Sequence, residues 1–147
     1  MPSPQPYLTV AAILSGFGIS VFMFRIQREL HVRDQDPTQR NWLAWADYLI
    51  LAAIVVSLLL VVIPLVAVAE PGPRAYALAR ASCAAAAILV AAYPFAILDH
   101  YRIEIGAWRK DEPPTIRHKG EPIEKAVVIG ASTVAAIAFA LIISGRA

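Results

Sequence analysis

Arg25, Asp47, Asp99 and His100 are the residues whose types and placement could do chemistry, because each borders a long segment that carries no other charge. Ionisable groups at the edge of an apolar stretch are held there against a desolvation cost, which makes them functional candidates. Asp47 follows Trp45 by two positions, and Asp99 and His100 stand at a comparable level at the end of a later segment. If both acids point inward, Asp47, Asp99 and His100 form a vestibule that attracts cations or protons. The plainer alternative pairs these acids with Arg25, Arg40 or Arg102 at the level of lipid headgroups. No charge falls near the middle of any apolar segment, which argues against a proton relay across its full length. His31 and His118 lie in connections, so facing histidines for haem are not expected. With no His-Glu-x-x-His helix, no Cys-x-x-Cys and no phosphate-binding glycine loop, neither a cofactor nor a metal is expected, and a non-enzyme is favoured over a membrane enzyme or redox carrier centred on His100 and Asp99.

The elements that must position these groups follow from composition. The chain has 147 residues, 59% hydrophobic and 16% charged, against roughly a quarter charged in an ordinary soluble domain. Residues 1–24, 48–69, 81–98 and 126–145 contain no Asp, Glu, Lys or Arg. About 20 apolar residues carry a helix across a hydrocarbon core of roughly 30 Å, so each segment is long enough to span, the third with help from its flanks. The run 54–63 is apolar on every side, whereas a barrel strand alternates. The expectation is an all-α membrane protein, one domain of four transmembrane helices in an up-down bundle, with spans at about 7–25, 43–69, 75–100 and 124–144. The basic residues near the first span follow it instead of preceding it, so a retained span is expected in place of a cleaved signal.

Ten of the thirteen Lys and Arg lie in the connections at about 26–41 and 101–122 or at their edges. The positive-inside rule then places both connections in the cytoplasm and both termini outside, in an inner (plasma) membrane of prokaryotic type. Arg25, Arg102, Trp42 and Trp45 become the anchors at the cytoplasmic boundary and its lipid headgroups. Asp36-Pro37-Thr38-Gln39 combines an N-cap acid with proline at the first helical position, which predicts a helix starting near Pro37. Glu70-Pro71-Gly72-Pro73 predicts a tight hairpin between the second and third helices, and Pro94 predicts a kink in the third. Cys83 lies inside a span as a small apolar filler.

An offset of 77 residues lays Phe24-Arg25-Ile26-Gln27 over Tyr101-Arg102-Ile103-Glu104 and aligns the acidic-proline stretches that follow, with six identities in a 17-residue window. A duplicated helix-loop-helix hairpin related by an axis along the membrane normal would produce this pattern, and so would chance. Ala12, Gly16 and Ser20 form a small-residue stripe, as do Ala77, Ala81 and Ala85, and Ser132, Ala136 and Ala140. Such stripes let helix backbones approach closely, within one chain or between copies. The second helix lacks one and is expected to be the most lipid-exposed. The partners implied are the bilayer and either a second copy of the chain or another membrane protein; the acids interleaved with the basic residues disfavour nucleic acid. The function that fits is a non-enzymatic scaffold or accessory subunit, the alternative an oligomeric channel or small transporter.

Overall fold

A computed structural model describes residues 3–35, 44–68, 70–107 and 121–145, with the side chains of 32, 33, 35, 99–107, 121 and 122 outside that description. The described residues are helical: α1 (Gln5–Gln35), α2 (Trp45–Val66), α3 (Pro73–Ala107) and α4 (Glu121–Ile143). Each contains a stretch long and apolar enough to cross a membrane, namely Gln5–His31, Trp45–Val66, Pro73–Leu98 and Ile123–Ile143. In a bilayer an α-helix satisfies every backbone amide within the segment, which is why uniformly apolar sequence adopts it. With 31 and 35 residues, α1 and α3 are roughly 45–55 Å long at 1.5 Å per residue, longer than the hydrocarbon core is thick. The residues proposed to start a helix near Pro37, and Trp42 with them, lie outside the described residues, where α2 opens at Trp45.

Helix α2 is not wound uniformly. Trp45–Ser57 is α-helical, Leu58–Val62 forms a π-turn, and Ile63–Val66 resumes the α-helix. Pro64 supplies the reason: its ring lacks an N–H and presses against the carbonyl one turn earlier, and a widened turn relieves that contact. Helix α3 runs without interruption through Pro94. Between α2 and α3, the Gly72 carbonyl accepts the amides of Ala75 (3.0 Å) and Tyr76 (3.3 Å), closing the first turn of α3 behind Pro73.

Helices α2 and α3 form the centre, and α1 and α4 lie on opposite flanks. The central place of α2 differs from the exposed one expected of it. Its large side chains Leu49, Ile50 and Ile54 are buried where neighbours offer small residues, among them Gly18, Ala85 and Ala86. Of the small-residue stripes, the one on α3 packs inside, with Ala81 and Ala85 buried. Ala12, Gly16 and Ser20 of α1 and Ser132, Ala136 and Ala140 of α4 instead face outward. The close approach on α1 is made by Gly18, where an added Cβ would stand 2.8 Å from Ile54 Cγ1. At Gly16 nothing lies within 4 Å of such a Cβ.

The core is divided along its length. A larger cluster, including Leu49, Ile50, Ile54, Ala86, Leu89 and Tyr93, fills the end nearer Arg25. A smaller one, Ala11, Val61, Leu65 and Ala79, fills the end nearer Gly72.

Candidate functional site

The charged groups meet at the Arg25 end of the bundle. Going along α1, the buried positions Ala11, Ser15, Gly18 and Arg25 recur at spacings of three, four and seven, which sets the guanidinium on the face that packs against α2. Arg25 Nε donates to Asp47 Oδ1 at 3.3 Å and Nη2 to Oδ2 at 3.5 Å, a bidentate pair with both residues about 95% buried. Arg25 Nη1 also stands 3.4 Å from Glu29 Oε1, one turn on along α1. Such a fork fixes both rotation and depth of one helix against another, since two parallel bonds tolerate little slippage. Asp47 is thus paired with an arginine, as the plainer reading of it has it.

A second carboxylate completes the site from α4. Glu124 is 1% exposed, and its Oε1 accepts the Ala46 N–H at 2.9 Å. The residue before α2, Ala44, has extended backbone and no side chain able to cap, so the first turn of α2 would otherwise keep a buried amide without an acceptor. A carboxylate at that position also sits favourably against the positive end of the helix dipole, as does Asp47 in the same turn. Beside it, Lys125 Nζ lies 4.9 Å over the Trp45 ring, and that ring packs at 5.9 Å against Tyr48. One end of α2 is thus held from α1 by Arg25 and from α4 by Glu124 and Lys125.

Glu124 escaped the sequence reading because it sits where the third connection passes into the fourth span. The signal that could have found it is arithmetic: Glu124 follows Asp47 by 77 residues, the offset of the repeat. The structure does not place the side chains of Asp99, His100 or Arg102, which fall outside the described ones. Trp45 is partly exposed beside Lys125, in keeping with an interfacial anchor.

At the opposite end, Tyr7, Glu70, Pro71, Tyr76 and Arg80 line an open cleft of about 580 Å³ between the start of α1 and the turn before α3. Tyr7 and Tyr76 pack ring to ring at 6.2 Å, and Cys83 Sγ lies 3.8 Å from the Tyr7 carbonyl. Among the described residues no group of three His, Cys, Asp or Glu is placed to hold a metal ion.

Four apolar helices with an ionic tie between them define the class, a multi-pass helical membrane protein. Comparison with protein-family models, curated proteins and solved structures finds no match to the chain.

Proposed function

We propose that the chain is a non-enzymatic scaffold or accessory subunit of a membrane assembly, an up-down bundle in an inner (plasma) membrane with both termini outside. The observation that carries this reading is the use made of its buried charges. Arg25, Asp47 and Glu124 are engaged with neighbouring helices, and the flanking helices offer broad outward faces of Ile13, Phe17, Ile129, Val134 and Ile137. Within those faces, Ala12, Gly16 and Ser20 on α1 and Ser132, Ala136 and Ala140 on α4 give a neighbouring helix room for close backbone approach. The partner is a second copy of the chain or another membrane protein.

Cysteine cross-linking in native membranes tests it. With Cys83→Ala as background, Gly16→Cys on α1 and Ala136→Cys on α4 should each form adducts above the monomer mass. Leu58→Cys on α2, exposed but outside both stripes, should form fewer. Adducts absent or equal at all three positions would overturn the scaffold reading.

The alternative, an oligomeric channel or small transporter, draws support from three buried hydroxyls, those of Ser15, Ser57 and Ser82, which line the interior without a hydrogen-bond partner. Cation flux into liposomes that is abolished by Asp47→Asn would favour it over the scaffold. The duplicated-hairpin reading draws support from a second correspondence, because Asp47 and Glu124 are both buried acids and stand 77 residues apart, the offset of the repeat. On that reading Arg102 is the counterpart of Arg25.

A further inference from the structure

Ser15, Ser57 and Ser82 belong to three different helices, are 4%, 0% and 0% exposed, and have hydroxyls without a hydrogen-bond partner. Four exposed hydroxyls of the same bundle behave differently. Thr9, Ser20, Thr133 and Ser144 each donate to a carbonyl three or four residues earlier, at 2.8–3.0 Å. Self-satisfaction within the helix is therefore open to a serine or threonine here, and the three interior serines do not take it.

Their positions coincide with the division of the core. On α1, Ser15 follows Ala11 of the smaller cluster and precedes Gly18, which meets Ile54 of the larger one. On α2, Ser57 lies between Ile54 of the larger cluster and Val61 of the smaller. On α3, Ser82 lies between Ala79 of the smaller cluster and Ala85 of the larger. The pairing of α1 with α2 places two of them at one level: Arg25 meets Asp47 and Gly18 meets Ile54, numbers that add to 72, as do 15 and 57. The π-turn begins directly after Ser57, and Pro64 withholds an amide from a carbonyl within Leu58–Val62. Between two apolar clusters, these are buried hydrogen-bonding groups without protein partners.

We propose that Ser15, Ser57 and Ser82 hold buried water in a polar layer across the middle of the bundle. A buried hydroxyl without a partner is costly, and a site with several convergent polar groups is where interior water is retained. A bare monovalent cation is the poorer occupant, because the described residues bring no carboxylate to this level and an uncompensated charge at mid-span is strongly disfavoured. The cleft beside Tyr7 and Tyr76 lies on the far side of the smaller cluster from these serines. Both rings pack against the smaller cluster, so Ala11, Val61, Leu65 and Ala79 are what separates that cleft from the layer. The water would make the widened turn of α2 tolerable, by bonding carbonyls that a regular helix would satisfy itself.

Water-edited solid-state NMR of the full-length protein in bilayers tests this without any substitution. Magnetisation should build up from water to the Cβ protons of Ser15, Ser57 and Ser82 several-fold faster than to Ala53 or Val61, which are equally buried. Equal build-up at all five overturns the proposal, whether the hydroxyls are dry or have turned back onto their own helices. A second arm uses variants. Ser57→Ala should abolish the fast transfer at Ser15, since the two share one water, and should lower the thermal midpoint. A triple change to alanine that raises the midpoint would show that the hydroxyls bind nothing, and would overturn it as well.

Discussion

Arg25 and Asp47 illustrate how a buried ion pair matters through its breakage more than its presence. Removing one member leaves an uncompensated charge in a site with little access to water, at a cost of about 3–5 kcal/mol. Arg25→Ala should therefore destabilise the bundle by that order, as read by reversible unfolding in lipid–detergent micelles. Arg25→Met combined with Asp47→Leu should restore most of the loss, since apolar replacement of both members is close to neutral. Glu124 separates differently: Glu124→Ala should cost about 1–2 kcal/mol through the orphaned Ala46 amide, and Glu124→Gln, which keeps an acceptor oxygen, should recover much of it. The sequence made Arg25 and Asp47 visible because each borders a charge-free run. It offered Arg25, Arg40 and Arg102 alike as partners for Asp47, because two residues 22 positions apart meet only once the helices pack. Glu124 was hidden, as the residue it serves contributes a backbone amide that no side-chain pattern advertises.

The helices themselves were legible from length and apolarity, since a segment that must satisfy its own amides in lipid has one regular solution. Their packing was less so. Gly16 and Gly18 are both compatible with a small face, and only the buried positions of α1 show that Gly18 points at Ile54. Gly18→Ala should strain this contact and cost about 1–3 kcal/mol, whereas Gly16→Ala should leave monomer stability within about 0.5 kcal/mol. Equal responses in thermal unfolding would contradict the assigned face of α1. The lack of a small-residue stripe does not put α2 outside. Large residues of one helix seat against small residues of the next, so size marks the giver of a contact as well as the outsider. Pro64, which accounts for the π-turn, was present in the sequence and overshadowed by Pro94, which the helix accommodates.

For the bundle in its membrane, orientation rests on the distribution of Lys and Arg. Reporter fusions at Gln35 and Thr115 should read as cytoplasmic, and at Gly72 and Ala147 as external; an external signal at Thr115 would reverse the assignment. If the two hairpins are copies, Arg102→Ala should destabilise the second hairpin as Arg25→Ala does the first. A silent Arg102→Ala would remove the duplication's main physical content. None of this could be settled by composition, which specifies immersion in lipid but carries no information about which charged residue meets which.

The cap on α2 has a consequence for biosynthesis. The acceptor for Ala46 is encoded 78 residues after the donor. At ribosomal speeds of about 5–20 residues per second, the amide waits roughly 4–16 s before that carboxylate is even made. The first hairpin can lock its own ion pair as soon as it emerges, yet its second helix stays unfinished at one tip until the last one arrives. A nascent chain stalled before Glu124 should accordingly be the form that proteases clear and insertion factors shelter.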